Sequence, residues 1–290
     1  MKMMLKTPMT DSFRCSDKVS SVLTAVLLIL MPLRVQAQQT VWGLPQYNET
    51  VRVTSVAAGS AFARDTYLSA SRYSGWALGF ENDSWIGLRP YRTFRYCRNT
   101  SALFFSPMTN RLDGGSTLEA GGYDFMSFLW PAVECSMCDL LIGPAVMMEL
   151  DVLYNQQNSN NPVNAAGYLG GGLCVDNTFR FNVFRYRMAL QATLNVPLAG
   201  IGFAPDYDQP YWYMYKYGEY GKALHFITPF NNTAITQQVA LILPCRASRI
   251  RIGYTFDYIG NGLGGHTRGI GSGMFTIGCA FRFQEKEWEL

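Results

Sequence analysis

Hydrophobic and polar positions alternate most cleanly near the end of the chain. From Arg249 to Tyr258, one side collects Ile250, Ile252, Tyr254, Phe256 and Tyr258, and the other Arg249, Arg251, Gly253, Thr255 and Asp257. A strand presents successive side chains to opposite faces, so this pattern predicts a strand with one apolar and one charged face. Over 274–283 it repeats, with Phe275, Ile277, Cys279, Phe281 and Phe283 opposite Met274, Thr276, Gly278, Ala280 and Arg282. The two arms make a hairpin. Upstream, weaker versions of the pattern predict strands over 51–58, 73–81, 94–106, 118–130, 140–154, 168–180, 185–196 and 233–243. In 140–154, Glu149 and Asp151 share a face with Gly143 and Ala145, while Pro144 calls for a bulge or an edge. In 185–196, Leu190 belongs to the apolar face and Gln191 to the polar one. The register of 94–106 is not fixed by its pattern.

Two architectures accept such strands. A soluble sandwich would turn the charged face outward. An outer-membrane barrel would turn the apolar face to lipid and the polar face to the lumen. About ten strands is an even number, and long or polar connections alternate with short ones, as barrels of this kind require. The expected fold is therefore an all-β transmembrane antiparallel barrel of about ten strands, with both termini in the periplasm. A hairpin hidden in 197–232 would raise the count to twelve.

Composition agrees with that choice. The chain is 48% hydrophobic and 14% aromatic, with only 16% charged residues, where roughly 25% is usual. Lys18 precedes an apolar run over 22–31, and Val35-Gln36-Ala37 supplies small residues at a cleavage site. That run is shorter than the ~20 residues of a membrane helix, so it reads as a secretory signal cleaved near Ala37. The expected organisation is a signal peptide at 1–37, a periplasmic lead-in at 38–50, the barrel at 51–283 and a polar tail at 284–290. The expected location is the bacterial outer membrane. Of the formal charges, the signal holds five basic and two acidic residues, leaving 19 of each sign in the mature chain. No basic field for nucleic acid remains.

Three loop signatures stand out. They are Asp65-Thr66-Tyr67-Leu68-Ser69, the stretch Leu153-Tyr154-Asn155 with Asn158 to Pro162, and Pro197-Leu198-Ala199-Gly200 followed by Phe203-Ala204-Pro205-Asp206-Tyr207. With them the chain resembles an uncharacterised family of exported Bacteroidetes-type proteins, catalogued as a domain of unknown function and regarded as outer-membrane barrels. The resemblance spans nearly the whole mature chain. It implies a fold and a location, and it brings no catalytic residue with it.

Candidate chemistry is sparse. Six cysteines follow the signal, and Cys135-Ser136-Met137-Cys138 forms a CxxC in a predicted periplasmic turn. The βαβ setting of a redox CxxC is absent, and no nearby His or second CxxC completes a zinc set. A local disulfide or two idle thiols is the simpler reading. His225 and His266 are the two histidines. A rim-sited hydrolase would pair His266 with Asp257, with Asp206 and Asp208 as further acids; a solvated loop His is the plainer alternative. The aromatic loop 205–220, with Tyr211, Trp212, Tyr213 and Tyr215, fits an interfacial girdle or a surface-binding platform. The Gly runs at 121–122, 170–172 and 262–265 lack the strand–loop–helix setting of a phosphate cradle. No cofactor or metal is expected.

The lumen holds the remaining candidates. The inward set on this reading is Arg52, Glu81, Asp124, Glu149, Asp151, Asp176, Arg180, Arg185, Arg187, Arg249, Arg251, Asp257 and Arg282. A barrel of about ten strands is little wider than the eight-strand size that side chains fill. Charges there must pair, since an unpaired buried ion costs several kcal/mol. A narrow, largely plugged channel or a passive, structural membrane role follows, with surface binding and rim hydrolysis as the alternatives. The expected partners are outer-membrane lipid, the export and barrel-assembly machinery, and an extracellular ligand or protein for the binding alternative.

Overall fold

The computed structural model describes residues 44–284, apart from 90–92, 113, 160, 185, 207–209 and 246–247. The signal segment, the lead-in up to 43, Arg185, Asp208 and the tail beyond Gln284 lie outside the described residues. The strands are β1 (Glu49–Asp65), β2 (Ser69–Gly87), β3 (Tyr96–Thr109), β4 (Ser116–Glu134), β5 (Cys138–Asn155), β6 (Val163–Val183), β7 (Tyr186–Phe203), β8 (Leu224–Ile227), β9 (Asn232–Cys245), β10 (Ser248–Asn261) and β11 (Arg268–Gln284). Each pairs antiparallel with its neighbour along the chain, except that β7 skips β8 to reach β9 as well. β11 returns to β1 over the full length of both strands, from Glu49↔Gln284 to Asp65↔Arg268. The sheet is thus a closed ten-stranded antiparallel barrel. β8 is a short addition to the far end of β7, along Gly200–Phe203, past the point where the β7–β9 ladder stops at Asn195↔Thr236. Closure gives each of the ten wall strands two partners, and only the short β8 has one.

The strands outrun their predicted bounds. β2 and β4 each have 19 residues and β6 has 21, against roughly 9–11 for a tilted strand crossing hydrocarbon. The segment 197–232 holds a short antiparallel pairing of the β7 end with β8, but it adds no further pair of wall strands, so the count stays at ten among the described residues. Its first residues extend β7, and after them come a helix, α1 (Tyr211–Tyr217), a 3-10 turn (Tyr220–Ala223) and β8. α1 stops at Gly218, whose φ of 69° lies in the left-handed region that glycine enters without strain.

The outer wall is apolar over most of its circumference. Leu78 and Phe80 on β2, Val146, Met148 and Leu150 on β5, Ile252 and Tyr254 on β10, and Phe275 and Phe281 on β11 are all exposed. Leu190 is 42% exposed while Gln191 is 3% exposed, so adjacent residues of β7 lie on opposite faces. Pro144 points outward, and the β4–β5 ladder lapses beside it, between Ser127↔Ala145 and Trp130↔Ile142. A proline has no N–H to donate there. The inner wall mixes small and polar residues, among them Ser55, Ala77, Thr100, Ala145, Thr276 and Ala280, with two apolar clusters, one around Trp85, Phe125 and Leu129 and one around Tyr67, Met108 and Met274. At Gly121 an added Cβ would lie 2.7 Å from the Phe104 ring and 2.9 Å from Asp151 Cβ, so the absent side chain leaves room for its neighbours.

Two residues assigned to the lumen are on the other face. Arg52 is exposed on the outer wall, because β1 sends Val51 and Val53 inward, where Val51 packs in a cluster with Trp85 and Leu129. β1 therefore reverses the usual sidedness for a few residues. Asp124 also faces out, between inward Tyr123 and Phe125, whose rings stack at 4.5 Å between centroids.

Candidate functional site

The interior is occupied by a charge network centred on Arg98 of β3. Its guanidinium grips Asp83 of β2 with two bonds, Nε to Oδ1 at 2.8 Å and Nη2 to Oδ2 at 2.9 Å. Nη1 donates to Thr193 Oγ1 at 2.7 Å and to Asp176 Oδ2 at 3.1 Å, and Nη2 reaches Gln238 Oε1 at 3.0 Å. Trp85 lies 4.9 Å beneath the cation. Arg98 is 1% exposed. Paired, bidentate geometry of this kind is what makes a buried cation tolerable.

A second arginine joins the same net. Arg251 of β10 bonds Glu81 Oε1 at 3.0 Å, lies 3.5 Å from Asp83 and shares Gln238 with Arg98. Glu81 also accepts from Thr255, and Asp176 from Gln191 and Thr193. Groups from β2, β3, β6, β7, β9 and β10 are thus tied together across the lumen.

Nearer the long loops, Arg268 of β11 pairs with Asp151 of β5 and lies 3.9 Å from Asp65 of β1. Asn164 donates to Asp65 at 2.6 Å, and Asn155 donates to the Tyr73 hydroxyl at 3.1 Å. α1 covers this end. The Tyr211 hydroxyl accepts from Ala165 N–H at 2.6 Å and donates to Asn164 Oδ1 at 2.9 Å. Burial pushes the Tyr211 phenol well above its usual range, so it keeps the proton it donates. The cap and the charges below it are one connected chain, Tyr211–Asn164–Asp65–Arg268–Asp151.

The sequence candidates are distributed as follows. Asp176 and Arg251 sit in the Arg98 network, and Asp151 is bound to Arg268. Glu149 and Asp257 face the lumen near Glu119 and Arg268, with Asp257 opposite Thr236 in the wall. Arg180, Arg187, Arg249 and Arg282 lie toward the rim that holds the short turns. There Arg180 pairs with Asp139 and donates to Cys135 O, Arg282 meets Glu49 at 3.0 Å, and Arg187 is exposed. Asp83, Arg98 and Arg268 join the network without being marked by the sequence pattern. Asp83 has the same parity as Glu81 and lay just past the predicted end of its strand. Arg98 sat in the strand whose register was open. Arg268 was screened by Gly269, Gly271 and Gly273, which interrupt the alternation.

Of the aromatic loop, Tyr211 turns into the barrel mouth, whereas Trp212 is 62% and Tyr215 83% exposed. Tyr213 is half-buried and contacts Trp212 and Tyr217 edge to face or tilted. The hydrolase pair is not assembled. His266 Nδ1 contacts Gly264 O at 3.2 Å, its ring lies 5.6 Å from that of Tyr67, and no bond joins it to Asp257 among the described residues. His225 Nε2 contacts Ala204 O at 2.9 Å. The six described cysteines are free thiols, with Cys174 buried. No group of three or more His, Cys, Asp or Glu among the described residues is arranged to hold a metal.

Solved structures align with the chain at very low identity. The outer membrane protease OmpT from Escherichia coli aligns over 85% of this chain and all of its own, with 8% identity and a TM-score of 0.49. The transport unit of the autotransporter AIDA-I from Escherichia coli covers 93% of this chain and 98% of its own, at 8% identity and a TM-score of 0.41. An outer membrane channel from Pseudomonas putida F1 covers 85% and 99%, at 9% identity and a TM-score of 0.38. No curated protein matches the sequence. The family model described as "Protein of unknown function (DUF3316)" matches residues 23–286, and the chain belongs to that family.

Proposed function

We propose that this protein is an outer-membrane β-barrel with a structural, non-conducting role, its lumen closed by its own charges. The observation that carries the reading is Arg98, buried in the lumen and bonded to partners on four other strands. An ion or solute crossing the barrel would have to displace those bonds, and each leaves behind a charge or amide with no replacement partner. The apolar outer wall supports insertion in a bilayer, where a closed barrel satisfies every backbone group internally. The short-turn rim with both strand termini is assigned to the periplasm, and the signal is assigned to cleavage near Ala37, which N-terminal sequencing of the exported protein reads directly.

Planar-bilayer recording tests the closed lumen. The purified protein should give silence or rare, small openings. Large, steady, weakly selective currents would overturn the reading. The exposed Trp212, Tyr215 and Tyr217 on α1 favour a second role, in which the cap binds an extracellular ligand or protein through aromatic faces. Loss of surface adhesion on substitution of these residues, with the barrel intact, is its signature.

A further inference from the structure

We propose that the outer wall of β1–β4 is an interface between two copies of this chain, side by side in the membrane. The proposal rests on the membrane-spanning reading above. Elsewhere the middle of the wall is apolar apart from isolated residues such as Gln237 on β9, but here six outward polar residues lie together: Arg52 and Thr54 on β1, Asn82 on β2, Asn99 and Ser101 on β3, and Asp124 on β4. They are contiguous. Thr54 is the register partner of Asn82, Asn82 of Ser101, and Ser101 of Asp124. Two bonds tie them laterally, Thr54 Oγ1 to Asn82 Oδ1 at 3.4 Å and Asn99 Nδ2 to Asp124 Oδ1 at 2.6 Å.

The row begins near the short-turn end, at Arg52 and Asn99, and reaches beyond the rim. Asp124 sits midway along β4, and the aromatic cluster of Phe94, Phe128 and Trp130 lies between it and the short-turn end. Aromatic clusters of that kind mark the headgroup level, which places Asp124 on the hydrocarbon side. Lipid tails offer nothing to the free lone pairs of Asp124 or the free amide hydrogens of Asn82. Polar groups at such depth are costly unless another protein surface meets them.

A second copy fits this row through its symmetry. Two barrels inserted in the same direction are related by a two-fold axis along the barrel, which sets β1 of each beside β4 of the other. The row carries its cation, Arg52, at the β1 end and its anion, Asp124, at the β4 end, so unlike ends face each other. At its centre Asn82, Asn99 and Ser101 both donate and accept, and such groups pair with their own kind. Small outward residues beside the row, Ala58, Ala120 and Gly122, permit close approach of the two walls.

Full-length protein in lipid nanodiscs, with Cys97, Cys135, Cys138, Cys245 and Cys279 replaced by Ala, tests this. Ser101→Cys, at the centre of the row, should cross-link to a dimer with a short thiol-reactive bis-maleimide, and Leu241→Cys on β9 should give at least tenfold less. The paired variant Asn99→Leu with Asp124→Leu should remain a heat-resistant barrel and lose the dimer at least tenfold by native mass. Monomers in the nanodisc, equal cross-linking at both cysteines, a dimer that survives the leucine pair, or a Ser101→Cys adduct to a different membrane protein would each overturn the proposal. Failure to enter nanodiscs at all would instead overturn the membrane reading on which it rests.

Discussion

Arg98 shows how one residue sets the character of the interior. Removing it leaves Asp83 and Asp176 without their cation, and breaking a buried pair on one side costs about 3–5 kcal/mol. Arg98→Met should therefore lower the urea midpoint of vesicle-folded protein sharply, and adding Asp83→Asn should restore part of the loss. Strict additivity of the two would show that the bonds are not coupled. At the wall the contrast is between neighbours. Leu190→Arg should cost ~2–4 kcal/mol if the site lies near mid-bilayer, while Gln191→Arg, on the inner face, should be milder; equal folding yields into vesicles would contradict the sidedness. Sidedness was legible where alternation is unbroken, as over Arg249–Tyr258. At Arg52 alternation points to the wrong face, because valines take the inner side and the polar residues the outer. Sidedness was hidden at Arg98 because Phe104 points in while Leu103 and Phe105 point out, so apolarity did not tell the faces apart. In each case the deciding fact is which residue packs across the lumen, and one strand read alone does not contain it.

Between residues and barrel, the element with the least predictable form is the segment after β7. Its aromatic density suggested a girdle or a platform, yet Tyr211 is turned inward and bonded to β6. Helix formation by seven residues gains little on its own, since short isolated helices are marginal. The cap is held instead by the buried Met214 and by the Tyr211 hydroxyl. Tyr211→Phe removes both bonds of that hydroxyl, each worth ~1 kcal/mol. Hydrogen exchange should then quicken in 210–223 while the ladders of β1, β10 and β11 stay protected. Uniform quickening across the barrel would mean that the cap is integral to the wall. The exposed Trp212 and Tyr215 are unaffected by this change, so binding and docking of the cap can be separated.

At the scale of the whole molecule, the ladder between β1 and β11 has a consequence in time. These strands lie at opposite ends of the sequence, and every one of their pairings, from Glu49↔Gln284 onward, is of the longest range the barrel contains. Loop-closure entropy delays such contacts until nearer ones are formed, so the seam joining first strand to last is a natural late event. Until then β1 and β11 present open edges that invite pairing with other chains. The chain therefore has a vulnerable interval, ending only when its final strand arrives. Truncation before Arg268 should lengthen that interval indefinitely: the fragment should accumulate as aggregate or as a chaperone-bound species, even though nine of the ten wall strands are intact. Pulse-chase folding with protease protection would record it, and rapid acquisition of full resistance by the truncated chain would show that an open sheet is stable without its seam. For this barrel, the order of synthesis and the order of completion are then coupled, and the last strand made acts as the clock.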